Sequence, residues 1–446
     1  MSPPSHKLQA GYWSRSVLCA LGFAAAMLVP AAGALSQETF SQLTLAPSVS
    51  AARIVVSGDT TRLAFDISAR VDARAFVLAD PARVIIDLPE IAFAIDPPPT
   101  SAGKGARNRS DGLILSYRFG RLAAGKSRIV IDLSGPARIL RAATETGPDG
   151  AARLLIDLAA TDMVSFAAAA AASRSLSGAL VANPNSLPLA ASAGAQPSDR
   201  PLIVIDPGHG GVDVGAQLPG RPPEKDVVFE FARALARKLE AGGRFSVILT
   251  RNEDVFVSLG ERVRIARTAG ALLFVSIHAD TLTEASVSGA TVYTVSDRAS
   301  DVHAARLAEK ENLADKAAGF ETPEEASEIS DILFDLTRRE TRAYSHVFAR
   351  TLVSIWKDAA GLNKNPQRSA GFKVLQAPDV PSVLLELGYL SSQKDAALLT
   401  TPEWREKTAG AVARSIDSFF AMRGLGRGAP EEAAQGYSPA STPGGG

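Results

Sequence analysis

Between residues 201 and 422, short apolar runs alternate with longer stretches in which apolar residues recur every three or four positions. The runs 202–206, 245–249, 272–277, 290–295, 372–375 and 383–387 have strand length. Val228, Phe231, Leu235 and Leu239 fall on one helical face, and so do Trp404, Val412, Ile416 and Phe420. Strands alternating with helices predict an α/β domain whose mainly parallel sheet is flanked by helices. Upstream, over 43–158, the period changes. Arg62-Leu-Ala-Phe-Asp-Ile67 alternates apolar with polar residues, while Ala82-Arg-Val-Ile-Ile-Asp-Leu88 and Ser127-Arg-Ile-Val-Ile-Asp-Leu133 are near twins. Arg153-Leu-Leu-Ile-Asp-Leu158 repeats the pattern. Half-buried antiparallel strands follow, and with them a small all-β, sandwich-like domain.

Composition changes the picture in three places. Residues 159–200 turn to alanine, serine, asparagine and proline, which reads as a flexible linker without a core of its own. The tail 424–446 is rich in Gly, Pro and Ala and reads as disordered. At the other end, Lys7 and Arg15 lead into an apolar stretch, 17–34, that closes on Ala32-Gly33-Ala34 and the polar Ser36. That is the layout of an export signal, 1–36, removed on secretion. No later run approaches the roughly 20 apolar residues of a spanning helix. The single cysteine, Cys19, lies inside the signal, so the processed chain has no disulfide, cysteine-ligated metal or cysteine nucleophile. Lys+Arg and Asp+Glu balance at 47 each, which excludes steering to nucleic acid by net charge.

The candidate chemistry rests on scarce histidines: His6, His209, His278, His303 and His346. His209 follows the apolar run 202–206, and His278 follows 272–277. Both therefore sit at carboxyl ends of strands, where a parallel sheet opens its ligand crevice. Neutral imidazole is the commonest zinc ligand, and a hydrolytic zinc takes three protein ligands. Glu224, ahead of a helix, is a candidate third ligand, with Asp226 and Asp213 as rivals; acidic residues are also favoured in a first helical turn for its dipole alone. Glu386 lies in the otherwise apolar Ser382-Val-Leu-Leu-Glu-Leu-Gly388. A carboxylate there is either a general base or half of a buried ion pair with Arg251 or Arg262. His303 and His346 fall in charge-studded helical stretches and read as surface residues. Gly208-His-Gly-Gly211 lacks phosphate-loop spacing; its glycines serve a tight turn.

Taken in order, Ile203-Val-Ile-Asp-Pro-Gly-His-Gly-Gly211, Glu224-Lys-Asp226, Leu249-Thr-Arg-Asn252, the run 259–262, Phe274-Val-Ser-Ile-His-Ala-Asp280, Ser288-Gly-Ala290 and Pro381-Ser-Val-Leu-Leu-Glu-Leu-Gly-Tyr389 resemble the zinc-dependent N-acetylmuramoyl-L-alanine amidases over 201–422. The region 43–158 resembles the AMIN domain that accompanies them. The resemblance implies a Zn2+ site of His209, Glu224 and His278, with Glu386 as the catalytic glutamate. It implies cleavage of the amide between the lactyl group of N-acetylmuramic acid and the L-alanine of the stem peptide, in cell separation. Asp280 stands where asparagine is frequent in the family. Alternatives are a catalytically silent peptidoglycan-binding protein and a zinc peptidase of other specificity. Implied partners are peptidoglycan and a LytM-type activator, and the implied place is the Gram-negative periplasm, at the division site.

One stretch, about 300–350, is long for a strand connection and dense in Glu309, Glu311, Glu321, Glu324, Glu325, Glu328, Asp331 and Asp335. Ile329, Ile332, Leu333 and Leu336 give it an apolar helical set. By itself this reads as an amphipathic surface helix. Division-associated members of the family insert a helix here that covers the active site until an activator displaces it. The resemblance thus makes Glu321, Glu324, Glu325 or Glu328 the expected autoinhibitory residue.

Overall fold

The twin strands of the upstream region are immediate neighbours in space. In the computed structural model, which describes residues 46–95, 112–147, 150–181, 200–320 and 332–424, Val84 stands opposite Ile131 and Ile86 opposite Ile129. They belong to a β domain of β1 (Ser48–Ser57), β2 (Thr60–Ile67), β3 (Arg74–Leu78), β4 (Arg83–Pro89), β5 (Ala92–Phe93), β6 (Ile114–Ala123), β7 (Lys126–Leu133), β8 (Ala137–Thr146) and β9 (Ala152–Ala160). One sheet has the order β5-β1-β2-β9-β8, the other β3-β4-β7-β6. Leu63, Phe65, Leu154 and Ile156 of the first sheet share a core with Val84, Ile86, Ile129 and Ile131 of the second, as the sandwich expectation requires. The second sheet is covered on its other face too. Ile85 and Val130 bury there with Val212, Phe256 and Ala318 of the downstream domain. Double coverage explains why these two strands are apolar at successive positions.

The supposed linker begins differently. Helix α1 (Met163–Val181) occupies much of it. Alanine carries the highest helix propensity, and the Asp162 carboxylate caps the start by accepting from the Ser165 N–H at 2.8 Å. Phe166 and Ala170, one turn apart, enter the sandwich core, so the helix borrows a core rather than building one. Residues 182–199, the tail from 425 and the export segment with Cys19 lie outside the described residues.

The downstream domain contains β10 (Leu202–Pro207), α2 (Glu224–Ala241), β11 (Ser246–Leu249), α3 (Leu259–Thr268), β12 (Leu273–His278), β13 (Ala290–Val295), α4 (Val302–Glu311), α5 (Ala314–Ala317), α6 (Ile332–Trp356), β14 (Leu362–Ala370), β15 (Ser382–Glu386), α7 (Gln393–Leu399) and α8 (Pro402–Met422). The sheet order is β11-β10-β12-β15-β13-β14. β11, β10, β12 and β15 run parallel, and β13 is antiparallel to β15. Ile203, Ile205, Val275, Ile277, Val383 and Leu385 face the core that holds Phe231 of α2, Leu352 of α6 and Ile416 of α8. Val204, Phe274 and Leu384 face the opposite core with Ile265 of α3 and Leu307 of α4. This is the α/β architecture expected from the sequence. One strand was misplaced: 372–375 contains a 3-10 turn, Lys373–Leu375, whose Val374 and Leu375 are buried. The strand beside β13 is instead the polar β14, at the sheet edge, where a proline such as Pro366 is tolerated. Among the described residues no helix is long and apolar enough to cross a membrane.

Phe166→Ala should lower stability by about 3–5 kcal/mol through the cavity left under α1. Denaturant unfolding followed on the β domain checks this, and a loss below about 1 kcal/mol would show that α1 is not part of that core.

Candidate metal centre

Parallel register gathers the site. Pro207 of β10 aligns with Ile277 of β12, and His278 with Glu386 of β15, so His209, His278 and Glu386 emerge at one edge of the sheet. His209 is the one non-glycine residue at positive φ (58°) among the described residues. The loop around it doubles back through paired backbone bonds between Gly210 and Asp213 at 2.8 and 3.0 Å. A Cβ on Gly211 would stand 1.9 Å from the Arg121 carbonyl oxygen of the β domain, a close approach only glycine permits. The turn brings Asp213 Oδ2 to 2.9 Å from His209 Nδ1. A carboxylate can only accept, so Nδ1 carries a proton and Nε2 is the nitrogen turned toward Glu224.

Asp206 and Arg262 anchor this loop from below. Arg262 donates to Asp206 Oδ1 at 2.7 Å, to the Pro207 carbonyl at 2.9 Å and to the His209 carbonyl at 2.8 Å. Thr250 and Ser276 hydroxyls complete the Asp206 shell at 2.6 and 2.7 Å. Burial pushes the Asp206 carboxyl up, but Arg262 and the hydroxyl donors outweigh it and hold it below its ordinary range.

Glu224 is the first residue of α2 and fully buried. Its Oε2 accepts from the Ala216 N–H and its Oε1 from the Ala279 N–H, both at 2.8 Å. Oε1 lies 3.2 Å from His209 Nε2 and 3.4 Å from His278 Nδ1. Among the described residues those two ring nitrogens are buried and have no hydrogen-bond partner. One ligand atom from each of His209, Glu224 and His278 falls within a 4.8 Å group. Two imidazoles and a carboxylate are the donor set of a divalent transition metal, and orphaned buried nitrogens fit that role. Burial pushes Glu224 up, yet the imidazoles beside it hold it well below the usual carboxylate range. Burial pushes His209 down, but Glu224, Asp213 and Glu311 hold its proton affinity well above the ordinary value. The same negative field favours a cation between the rings. Of the rivals to Glu224, Asp213 orients His209, whereas Asp226 is not in the cluster.

Glu386 is fully buried at the end of β15. Its Oε2 accepts from the Asp280 N–H at 3.1 Å, and its Oε1 has no partner. The ion-pair alternative is not realised: Arg262 serves Asp206, and Arg251 donates to the carbonyls of Pro207, Gly208 and Lys225. Burial first, then the charges of Asp280, Glu224 and Glu311, push the Glu386 carboxyl well above its ordinary value.

A residue named in the sequence only among a run of charges completes the cluster. Glu311, the last residue of α4, places Oε2 3.2 Å from His278 Nδ1 and 3.7 Å from His209 Nε2. Its signal was its spacing: Ala304, Leu307, Ala308 and Glu311 form the buried stripe of α4. Its neighbour Lys310 bonds Asp280. The cavity left beside His209, His278, Glu311 and Arg262 is about 10 Å3, no more than one water fills. Glu321, Glu324, Glu325 and Glu328 lie outside the described residues. His303 is partly exposed near Glu284, and His346 approaches Thr294 Oγ1 at 3.4 Å; neither joins the cluster.

A profile of the N-acetylmuramoyl-L-alanine amidases matches residues 203–418, and one of the AMIN domain matches 51–158. The N-acetylmuramoyl-L-alanine amidase AmiC of Escherichia coli is 31% identical over 408 residues, covering 88% of this chain and 95% of that protein. The AmiC protein of Neisseria meningitidis is 33% identical over 393 residues, covering 86% and 92%. Among solved structures, the amidase AmiC2 of Nostoc punctiforme is 27% identical with a TM-score of 0.37, covering 50% of this chain and 98% of that one.

Arg262→Met should destabilise the downstream domain by about 3–5 kcal/mol, because Asp206 would remain as a buried charge without its partner. Thermal unfolding checks this; an unchanged midpoint would show that the pair does not anchor the loop.

Proposed function

Since the chain belongs to the N-acetylmuramoyl-L-alanine amidase family, we propose that it hydrolyses the peptidoglycan amide between lactyl group and L-alanine with a zinc ion held by His209, Glu224 and His278. The observation that carries this is the pair of buried, unpartnered nitrogens, His209 Nε2 and His278 Nδ1, facing one Glu224 oxygen. When bound, such an ion polarises a carbonyl and acidifies a water. The chain's own groups supply the rest. Asp213 fixes the His209 tautomer. The free Oε1 of Glu386, with its raised proton affinity, takes a proton from water and returns it to the leaving amine. The backbone N–H of Asp280 holds the other Glu386 oxygen in place for that transfer.

The β domain, as an AMIN domain, holds the enzyme on peptidoglycan, and the chain acts outside the cytoplasm, in the periplasm, during cell separation. Glu311 is the autoinhibitory residue: it faces the same two nitrogens that a bound metal would use. Release of α4 by an activator of LytM type then opens the site.

Two sets of variants test this. His209→Ala should abolish zinc retention by the purified protein, measured by elemental analysis. Glu386→Gln should keep the zinc but lose about 100- to 10,000-fold in release of stem peptides from sacculi. Zinc-free wild type with full turnover, or product sugar strands still carrying peptides, would contradict the amidase reading. Glu311→Ala should raise turnover without any activator by about fivefold or more; an unchanged basal rate would remove Glu311 from the gate.

A further inference from the structure

The segment that carries Glu311 is held from a second domain. From Glu311 the chain passes through α5 to Ala318, Gly319 and Phe320. Its near half is tied to the catalytic domain: Asn312 bonds the Gly371 carbonyl and the Lys373 N–H, both at 2.8 Å, and Asp315 accepts from the Leu259 N–H at 2.9 Å. Its far half is held by side chains of the β domain. Arg118 of β6 donates through Nε to the Ala317 carbonyl at 3.1 Å, and through Nη2 to the same oxygen. Arg128 of β7 donates to the Ala318 and Gly319 carbonyls at 3.2 and 3.1 Å. These carbonyls lie at and just beyond the end of α5, where a helix leaves acceptors without internal partners.

We propose that the four-stranded sheet of the β domain is a clamp on the Glu311 plug, so that the autoinhibited state depends on domain docking; this rests on the reading of Glu311 above. Both arginines are aimed in advance. Arg128 is gripped by Asp87 at 2.6 and 2.9 Å, and Arg118 by Asp132 at 2.7 Å, each on a neighbouring strand. A guanidinium fixed at one edge loses little freedom when its other edge meets a carbonyl. The Arg128 guanidinium also lies 4.8 Å over the ring of Phe320, which stacks on Phe256 of the catalytic domain at 5.2 Å. Ala318 is fully buried between Ile85, Val130 and Phe256. Gly319, at φ 81°, passes so close that a Cβ would meet Ile85 Cδ1 at 2.6 Å. Three carbonyl acceptors, one guanidinium–ring contact and one buried methyl thus tie the root of the plug to a sheet that supplies no ligand to the metal cluster itself. Helix α4 cannot swing out on the α5 side without breaking them. Anything that draws the β domain away from Phe256 loosens Glu311.

The test uses the full chain on labelled sacculi, without activator, beside hydrogen exchange. Arg118→Gln/Arg128→Gln and, separately, Phe320→Ala should each raise basal release by about fivefold. Both should speed exchange of the 307–320 amides while β10 and β12 keep their protection. Neither should add more than about twofold in a Glu311→Ala background, because the two act on one equilibrium. Phe320→Ala leaves every β-domain residue in place, so it carries the test if the arginine pair weakens that fold. If Glu311→Ala raises the rate but the clamp variants change neither rate nor exchange, the clamp is wrong and the plug stands. If the clamp variants speed exchange while Glu311→Ala leaves the rate unchanged, the plug itself is wrong.

Discussion

Two imidazole nitrogens buried against a carboxylate oxygen, with no proton donor to satisfy them, set the terms for the rest of this molecule. Each such nitrogen costs free energy unless something positive lies between the rings. The surrounding carboxylates sharpen that demand, since Glu224, Asp213 and Glu311 all raise the value of a cation there. An arrangement with fully buried Glu224 and Glu386 beside these nitrogens fits a bound cation.

What holds the arrangement is register and anchoring rather than the ligands themselves. A parallel pairing slipped by one residue between β12 and β15 would turn Glu386 to the opposite face. The Asp206–Arg262 pair, below the crevice, locks the carbonyls that shape the His209 turn. The left-handed backbone at His209 persists because that anchoring and the Gly210–Asp213 bridge over-determine it. Function and fold meet at these few backbone positions.

The sequence made some of this legible and hid the rest for physical reasons. Apolar runs marked β10, β12, β13 and β15 because those strands are buried on both faces. The edge strand β14 escaped because its polar residues carry no such run, while 372–375 misled because buried apolar residues also pack in turns. Alanine content concealed α1, whose Phe166 and Ala170 enter the core from a long neutral run. His209, His278 and Glu386 were legible from their place after or within strands. Glu224 was not separable from Asp213 and Asp226 until the family resemblance chose it, because a first-turn acid has an ordinary explanation. Glu311 was hidden among charges, although one acid on the buried stripe of α4 is what distinguishes it.

Glu311 adds a further carboxylate to an already acidic crevice, where like charges repel; burial drives the Glu311 carboxyl up. Its neighbour Lys310 bonds Asp280, and further along the same segment the carbonyls of Ala318 and Gly319 accept from Arg128 of the β domain. Anomalous diffraction at the zinc absorption edge, from crystals of the full chain, tests the central claim most directly. A single strong peak bounded by His209 Nε2, His278 Nδ1 and the carboxylates of Glu224 and Glu311 is the predicted result. A site free of anomalous signal in zinc-replete protein, with the two ring nitrogens bonded elsewhere, would contradict it.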